Sequence, residues 1–504
     1  MRKLLLSFCF LSPVFISAQI NKTFTLSGMN VTNASIAYIP PASGGGIYLA
    51  GSMGSVGNIY RDSFIISKLD GSGNYLFGRY HPIQVVRQTM TNTSDNGILC
   101  AILGTRSGGP YGLNLIKYNA GLNPIWSRTF PFTGNAEPAS RIDIEKVVNP
   151  SSGADEYYIL CSDGPATGTY SISLTKVSAT GTLLWRKRYI QNAPANGDDA
   201  PTSLTSYTDR QTGALRIVIA GSKRYYQAGG GEVDYLFYMT VDNNGNIVNP
   251  YTRMATVGVE KSYPDVLFDG ENLVTTFLLE NNGFVPGYTP STIGFIKTDL
   301  NFNPIAANAR WITCENYGLS ITMSPDNNYI ISGTVGRCGP PATDATTPYF
   351  LKINRTTLAP IYFKRYNINR DVTGLIGRHI TDVSGNNYIP ATVTDVTVPQ
   401  TLIRALVTTS TGNSCGAEDW QINTYEFTPT KDTLRYGIAS TTIQAGLPLT
   451  TVPVHMTQTD CFNSGKPSQY RMEETAITDE NLDIYENHAS VMPTLLYGNR
   501  QPLT

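Results

Sequence analysis

A motif of two strands joined by a glycine turn recurs along this chain and constrains its fold more than any other feature. The stretch KVSATGTLLWRKRY, Lys176 to Tyr189, reads as the end of a strand, a tight turn at Gly181 and a second strand through Trp185. Related copies are anchored on Lys68, Lys117, Lys176, Thr240, Lys297, Lys352 and Val407. Successive anchors lie 49, 59, 64, 57, 55 and 55 residues apart, a spacing typical of β-propeller blades.

The sequence around each anchor predicts four strands per repeat. An apolar strand precedes the anchor, as in GIYLAGS at Gly46, and a less regular strand such as IEKVVNP lies further upstream. Asp-Gly and Asn-Gly turns supply the positive φ of a hairpin. Trp126 and Trp185 are placed to cover the sheet face between blades, and Arg188 and Arg365 to lie along the outer strand with solvated head groups. The sequence therefore predicts an all-β, seven-bladed β-propeller of four-stranded antiparallel blades.

Closing a ring of blades requires the two ends of the propeller to meet. The segment from Lys22 to Val31 has strand composition but precedes the first complete repeat, and the seventh repeat runs into a long excursion that ends at Cys461. We expect one terminus to contribute a strand to the blade of the other. The propeller is thus expected to span residues 19–461.

The N-terminus has the pattern of a secretory signal peptide. Two basic residues precede an apolar run from Leu4 to Ile16, and small residues up to Ala18 offer a cleavage site, so residues 1–18 are expected to be removed. A membrane anchor is the alternative, but Pro13 interrupts a run that is too short to span a bilayer. We therefore expect an exported protein in the periplasm or at the cell surface, associated with the outer membrane and without a transmembrane segment.

Export permits disulfides, and six cysteines follow the signal peptide. We predict two pairs between loop-like positions: Cys314 with Cys338, and Cys415 with Cys461. Cys100 and Cys161 lie within apolar strands, where a free thiol behaves as a small hydrophobic group. None of the six has the spacing of a zinc site.

The sequence contains no recognisable catalytic, cofactor-binding or metal-binding motif. Nucleophile-elbow, dinucleotide and phosphate-loop patterns are missing, so we predict no catalytic residues, no metal ligands and no cofactor. The histidines, scattered and expected at surface or loop positions, are His81, His379, His455 and His488. The net charge of -1, without a run of Lys or Arg, excludes nucleic acid as an expected partner.

Carboxylates offer one alternative route to catalysis, because two of them facing each other at the propeller mouth would form a glycosidase pair. The candidates are Asp143, Glu145, Asp155, Glu156, Asp198, Asp199, Asp234 and Asp265. Tyrosines that would line such a mouth are Tyr225, Tyr226, Tyr235 and Tyr288. Spacing along the chain does not show convergence, and acidic pairs in loops are usually solvated.

The stretch from Gly46 to Tyr80, GIYLAGS followed by DSFIISKLDGSGNYLFGRY, resembles the blade repeat of secreted propeller proteins of the Bacteroidetes. The resemblance spans about Gly46 to Cys461. It implies a Cys, a Thr- and Val-rich excursion and a closing Cys in the seventh blade, which Cys415 and Cys461 match. Many members of this group act at the cell surface, some near type IX secretion or gliding machinery, and many end in a sorting domain. The sequence after Cys461 is too short and too polar for that domain.

Residues 462–504 form an acidic tail that turns apolar near its end. We interpret the apolar residues as a partner-docking element: Val491, Met492, Leu495, Leu496 and Tyr497. The alternative is an extended tail or one packed on the propeller.

Variable loops on a rigid ring, such as Tyr225 to Glu232, make interaction surfaces. We therefore expect a non-enzymatic binding or scaffold subunit of a bacterial outer-membrane assembly, linked by the resemblance to type IX secretion or gliding. Its partners are expected to be outer-membrane or cell-surface proteins, with a glycan as a further candidate ligand. The competing function is a polysaccharide-binding or polysaccharide-cleaving propeller.

Overall fold

The computed structural model confirms an all-β, seven-bladed propeller, with one antiparallel sheet for each repeat. The structure describes residues 20–25, 29–55, 63–106, 109, 111–132, 141–149, 152–163, 170–191, 198–226, 232–255, 261–280, 291–311, 315–336, 347–366, 371–372, 377–395, 400–414, 416–433, 436–440, 452–454 and 456–460. All of these residues belong to one unit, Met1–Pro467. The one helix among them is a short 3-10 turn, Pro41–Ser43, and none is long and apolar enough to cross a membrane.

Each blade begins with a strand at the centre of the ring and continues outward. The strands of blades 1 to 3 are Met29–Ile39, Gly46–Ser55, Ser63–Leu69 and Tyr75–His81; Ile83–Asn92, Ile98–Arg106, Tyr111–Tyr118 and Pro124–Pro131; and Asp143–Val148, Asp155–Asp163, Ser171–Ser178 and Leu183–Gln191. Those of blades 4 to 6 are Asp199–Thr208, Leu215–Tyr226, Glu232–Asp242 and Ile247–Ala255; Lys261–Phe268, Leu273–Glu280, Ser291–Thr298 and Pro304–Trp311; and Glu315–Met323, Tyr329–Gly336, Thr347–Ile353 and Pro360–Tyr366.

Blade 7 joins the two ends of the propeller. Its innermost position is taken by two short strands, Asp371–Val372 and Ile380–Thr381, which both pair with Asn387–Asp395. Gln400–Thr408 and the N-terminal Ile20–Thr25 follow outward. The N-terminal strand runs antiparallel to Gln400–Thr408, with Ile20 opposite Val407. The expected exchange of a strand between the termini is confirmed. The exchanged strand ends at Thr25, however, and the predicted segment's last residues already belong to blade 1.

The excursion after blade 7 is a belt of short strands around the outside of the ring. The belt strands Ala417–Asp419, Asn423–Glu426, Thr430–Thr433, Tyr436–Ser440, Val452–Val454 and Thr457–Asp460 pair with the outer edges of blades 6, 5, 4, 3, 1 and 7, in that order. Among the described residues, no belt strand pairs with blade 2. Each of the first six repeats therefore supplies four strands, as predicted, and blade 7 is completed by the N-terminal strand. Most blades gain a further strand from the belt, because an open strand edge offers unpaired backbone groups.

Side chains also hold the belt to the blades. The Arg365 guanidinium in blade 6 lies 3.9 Å from the ring centroid of Trp420, and its Nε donates a 2.7 Å hydrogen bond to Glu418. Arg310 in blade 5 is fully buried and donates to Thr424 Oγ1 at 3.4 Å. The solvated head group expected for Arg365 is thus wrong, because the belt covers it.

Two residues of the repeated motif join blade 3 to blade 4. Lys176 of blade 3 donates a 2.6 Å hydrogen bond to Asn243 Oδ1 of blade 4. Trp185 donates from Nε1 to the Asn243 carbonyl at 3.1 Å, and its ring lies against Gly245, where an added Cβ would come within 2.9 Å. The predicted role of the aromatic residue between blades is confirmed.

The hydrophobic core consists of clusters between neighbouring blades. In one cluster, Tyr48 and Ile66 of blade 1 pack with Ile98 and Cys100 of blade 2. Cys100 and Cys161 are buried free thiols, as the sequence predicts. The residues of the two predicted disulfides, the signal peptide and the residues of the predicted docking tail lie outside the described residues.

Candidate ligand-binding site in the central channel

The first strands of neighbouring blades contact one another around the ring and enclose a central channel. One position in these strands is polar in all seven blades. In blade 3, Lys176 pairs with Tyr158, which pairs with Glu145, and Asp143 lies two residues before Glu145. Following the strand pairing in the same way from the anchor of each blade leads to seven residues, which we call the channel ring: Ser35, Thr89, Asp143, Ser203, Asp265, Ser320 and Arg378. Because side chains alternate along a strand, these seven meet at one level of the channel.

Arg378 of blade 7 joins two carboxylates of the channel ring. Its Nη1 lies 3.1 Å from Asp143 Oδ2 of blade 3, and its Nε lies 3.7 Å from Asp265 Oδ1 of blade 5. The Arg378 side chain is 30% exposed, compared with 7% for Asp143 and 4% for Asp265. Burial opposes the charge of Arg378, but the carboxylates outweigh it and raise the Arg378 pKa above its usual range. The guanidinium is therefore charged and bridges non-adjacent blades.

Both aspartates are also acceptors for neighbouring blades. Asp143 accepts a 2.7 Å hydrogen bond from the Leu204 amide. Asp265 accepts a 2.8 Å hydrogen bond from the Ile321 amide and a 2.6 Å hydrogen bond from the Ser203 hydroxyl. Burial raises the pKa of Asp143, although Arg378 and the amide counteract the rise. The two carboxylates therefore link neighbouring blades through hydrogen bonds, because donors from the protein already surround them.

Glu145 lies on the same channel-facing side of its strand as Asp143. Its Oε1 accepts a 2.5 Å hydrogen bond from Ser206 of blade 4. Burial raises the pKa of Glu145 to about 7, while the Ser206 hydroxyl and the charge of Arg378 limit the rise and Asp143 adds to it. Glu145 is thus partly protonated at neutral pH.

His379 holds the backbone that presents Arg378. Its Nε2 lies 2.8 Å from Thr322 Oγ1 and its Nδ1 lies 2.8 Å from Ser332 Oγ, while its amide donates to Ser320 Oγ at 3.2 Å. Burial lowers the pKa of His379 to about 3, so the imidazole is neutral. The expected surface position is wrong for His379, and also for the buried His81, whose Nε2 lies 2.5 Å from the Tyr118 hydroxyl.

A cavity of about 290 Å³ adjoins the channel ring. Its lining residues are Asn33, Ala34, Ser35, Arg87, Gln88, Thr89, Arg141, Ile142, Asp143, Thr202, Tyr263, Asp265, Gly377 and Arg378. Arg87, Arg141 and Tyr263 share one register position, two residues before the channel ring, in blades 2, 3 and 5. The Arg141 guanidinium carbon lies 5.2 Å from the Tyr263 ring centroid, so this contact joins blades 3 and 5 across the cavity.

Three of the eight candidate carboxylates converge on the channel: Asp143, Glu145 and Asp265. The other five have partners elsewhere. Asp155 accepts from Ser94, Glu156 pairs with Lys176, Asp198 accepts from the Tyr170 amide, Asp199 pairs with Lys223, and Asp234 pairs with Arg224. Tyr225 and Tyr235 pack against each other with ring centroids 5.4 Å apart and do not line the cavity, and Tyr288 lies outside the described residues.

A second cavity, of about 390 Å³, lies between blades 3 and 4 at the opposite end of the strands. Glu156 at its wall pairs with Lys176 at 2.7 Å, and Lys176 also donates to Asn243. The other charged wall residues also have partners, since Arg216 pairs with Asp209 and Asp242 accepts from Asn246. Within the described part of the chain, no three His, Cys, Asp or Glu residues are grouped as a metal ion would require.

Comparisons with known proteins identify no family for this chain. No family model and no curated protein matches this chain. A protein of unknown function from Dyadobacter fermentans shares 10% identity with a TM-score of 0.41, over 78% of this chain and 98% of that one. The polysaccharide lyase Uly1 shares 8% identity with a TM-score of 0.44, over 78% of this chain and 100% of the lyase. The subtype N11 neuraminidase-like protein of A/flat-faced bat/Peru/033/2010 shares 11% identity with a TM-score of 0.38, over 80% of this chain and 97% of that one. At such identities and TM-scores these likenesses assign nothing further to this chain.

The arginines of the channel are functional candidates that the sequence analysis missed. Arg87, Arg141 and Arg378 lie in three different blades and have no local motif. Only an alignment of the repeats on their anchor residues could have found them. It places Arg87 and Arg141 at the same position of their repeats, and Arg378 at the position of Asp143.

Proposed function

We propose that this chain is a non-enzymatic binding propeller that captures its ligand in the central cavity. The observation that carries the proposal is the bridge of Arg378 to Asp143 and Asp265. A glycosidase needs one carboxyl group free to donate a proton and a second free to attack or to activate water. Here the protein's own amides, hydroxyls and guanidinium occupy both aspartates, so the cavity is preorganised for binding.

The experiment compares binding with turnover on the same ligands. The purified full chain is titrated by calorimetry against a panel of acidic and neutral polysaccharides, and the same mixtures are assayed for new reducing ends and for unsaturated products. Binding without product is the expected result. Product formation that disappears in Glu145→Gln would overturn the proposal and favour the polysaccharide-cleaving alternative, because Glu145 is the channel acid with a pKa of about 7.

The proposed cellular role is that of a subunit in a bacterial outer-membrane or cell-surface assembly. The sequence pattern of residues 1–18 and the resemblance to secreted Bacteroidetes propellers support it. Type IX secretion or gliding machinery is the proposed context. An internal affinity tag in the native host, followed by fractionation and mass spectrometry, tests this role. Stoichiometric outer-membrane proteins in the eluate are expected, whereas recovery of this chain alone would contradict the subunit role.

A further inference from the structure

The cavity wall carries more positive than negative charge. Three guanidinium groups and two carboxylates line it, and both carboxylates lie beside Arg378. Arg87 and Arg141 come from adjacent blades at the same register position. Burial lowers the pKa of Arg141, the charge of Asp265 counteracts this with smaller help from Tyr263 and Asp143, and the charge of Arg87 lowers it again, so Arg141 lies close to Arg87 as well as to both carboxylates. A pair of arginines in this arrangement attracts an anion, and their planar forks suit a carboxylate.

The remainder of the wall is built for a ligand rich in hydroxyl groups. Of its fourteen residues, only Ala34, Ile142 and Gly377 lack a polar side chain. Gln88 donates from Nε2 to the Asn33 carbonyl at 2.6 Å, whereas its buried Oε1 has no hydrogen-bond partner within the described residues. An unpaired buried acceptor is costly unless a donor satisfies it, and a sugar hydroxyl is such a donor.

Two wall residues hold a strained backbone. Asn33 and Tyr263 both have φ of 54°, a left-handed conformation that is rare for residues other than glycine. Both lie two residues before the channel ring, as Arg87 and Arg141 do, at interruptions in the pairing of the first two strands of blades 1 and 5. A β-bulge of this kind changes the direction of a side chain and is common next to binding and active sites. The Tyr263 ring lies opposite Arg141, and an aromatic face can stack on a sugar ring.

We propose that the cavity binds a single acidic sugar residue, a uronate, with Arg87 and Arg141 holding the carboxylate and the polar wall holding the hydroxyls. The inference rests on the proposed binding function and names its ligand class. A volume of about 290 Å³ is at the lower end for ligand pockets, which suits one residue better than a stretch of chain. No covalent step is involved.

The test uses the full chain with free monosaccharides as probes. Glucuronate and galacturonate are compared with glucose and galactose by calorimetry and by ligand-observed NMR. Arg87→Gln and Arg141→Gln are expected to weaken uronate binding about 10-fold or more, because each removes a charge-assisted hydrogen bond. Arg128→Gln is the matched control, since Arg128 lies over Trp126 in the outer strand of blade 2, away from the cavity, and it should leave affinity unchanged. Thermal unfolding of each variant confirms that it is folded.

The outcomes separate this inference from the proposed function. Uronate binding that is lost in the cavity variants and kept in Arg128→Gln supports both. Equal affinity for neutral and acidic sugars overturns the uronate assignment and leaves a binding propeller. Acetate or inorganic phosphate binding as tightly as the uronates, and competing with them, shows a simple anion site and overturns the sugar assignment. If no polysaccharide or monosaccharide binds, both the proposed function and this inference fail.

Discussion

The indole of Trp126 in blade 2 lies directly against Gly181 in blade 3. Its Nε1 donates a 3.0 Å hydrogen bond to the Ala179 carbonyl, and a Cβ added at Gly181 would meet the ring at 2.8 Å. Gly181 also has φ of 77°. The glycine of the repeated turn therefore serves two purposes at once, because it closes its own hairpin and receives the aromatic ring of the preceding blade.

Gly181→Ala should destabilise the propeller more than Gly213→Ala. Gly213 has φ of 68° but no neighbouring atom within 4 Å, so alanine there adds only backbone strain, about 1 kcal/mol. At Gly181 the contact with Trp126 adds roughly 1–3 kcal/mol, because a rigid ring must move. Urea unfolding of both variants measures the difference. Equal losses of unfolding free energy would show that the ring contact contributes nothing.

We expect a disulfide between Cys415 and Cys461 to close the belt. Ser414, next to the first cysteine, donates to the Ile20 carbonyl at 3.4 Å, and Asp460, next to the second, pairs with Lys22. Both flanking residues therefore contact the same N-terminal strand. The bond would close a loop between positions 46 residues apart, and its removal should cost roughly 4 kcal/mol.

Intact mass before and after reduction detects this disulfide, and thermal unfolding measures its effect. Cys415→Ser combined with Cys461→Ser should lower Tm, and reductant should then have a smaller effect. Cys314→Ser combined with Cys338→Ser is the comparison that tests the second predicted pair. Free thiols at positions 415 and 461 in the native, oxidised protein would contradict the prediction.

Glu145 should make stability fall as pH rises from about 4 to about 7. Its pKa of about 7 in the folded chain lies above that of an unfolded glutamate, near 4.3, so the folded state binds more protons between these values. The favourable contribution of the protonated form is present below about pH 4 and is lost as pH rises to about 7. Glu145→Gln keeps a neutral side chain, so its stability relative to wild type should increase from pH 5 to pH 8.

Denaturant unfolding at several pH values measures this difference. Ser206, Arg378 and Asp143 surround the carboxyl group and are unchanged in the variant. Glu271→Gln is the control, because the Glu271 side chain is 65% exposed. Parallel pH profiles for wild type and Glu145→Gln would disprove the shift.

Arg365→Ala should loosen the beginning of the belt without unfolding blade 6. The substitution removes the 2.7 Å hydrogen bond to Glu418 and the contact with Trp420. Amide exchange in the strand Ala417–Asp419 should accelerate about 10-fold, as expected for the loss of a charge-assisted bond. Hydrogen-exchange mass spectrometry reads this out. Arg128→Ala, in the outer strand of blade 2, should leave the belt strand unchanged, and similar exchange in both variants would show that Arg365 does not anchor it.

The blades could be predicted because their determinants are local and repeated. The turn at Gly181, the aromatic at Trp126 and the anchor at Lys176 recur at similar spacing, and each repeat has the same packing problem. The belt could not be predicted in the same way. Its strands are three to five residues long, and all four side chains of Asn423–Glu426 are exposed, so pairing through the backbone leaves no alternating pattern.

The cavity could not be predicted from the sequence for a different reason. Arg87 and Arg378 are 291 residues apart and meet only because the ring closes. The sequence offered eight candidate carboxylates without showing which of them converge, and Asp143, Glu145 and Asp265 do so. It could not show that Arg378 lies between two of them, since a salt bridge across non-adjacent blades depends on the diameter of the channel.

The belt also sets an order of events for a chain synthesised from its N-terminus. The outer edges of blades 1 and 3 to 6 exist before Ala417 emerges, and a strand cannot pair before its partner arrives. Until then these edges stay open to other chains, which is the usual route to edge-to-edge aggregation. A product truncated before the belt would expose all of these edges at once and would lack core residues such as the buried Met456. The belt, residues 417–460, is thus the part of the chain that closes the open edges of the finished ring.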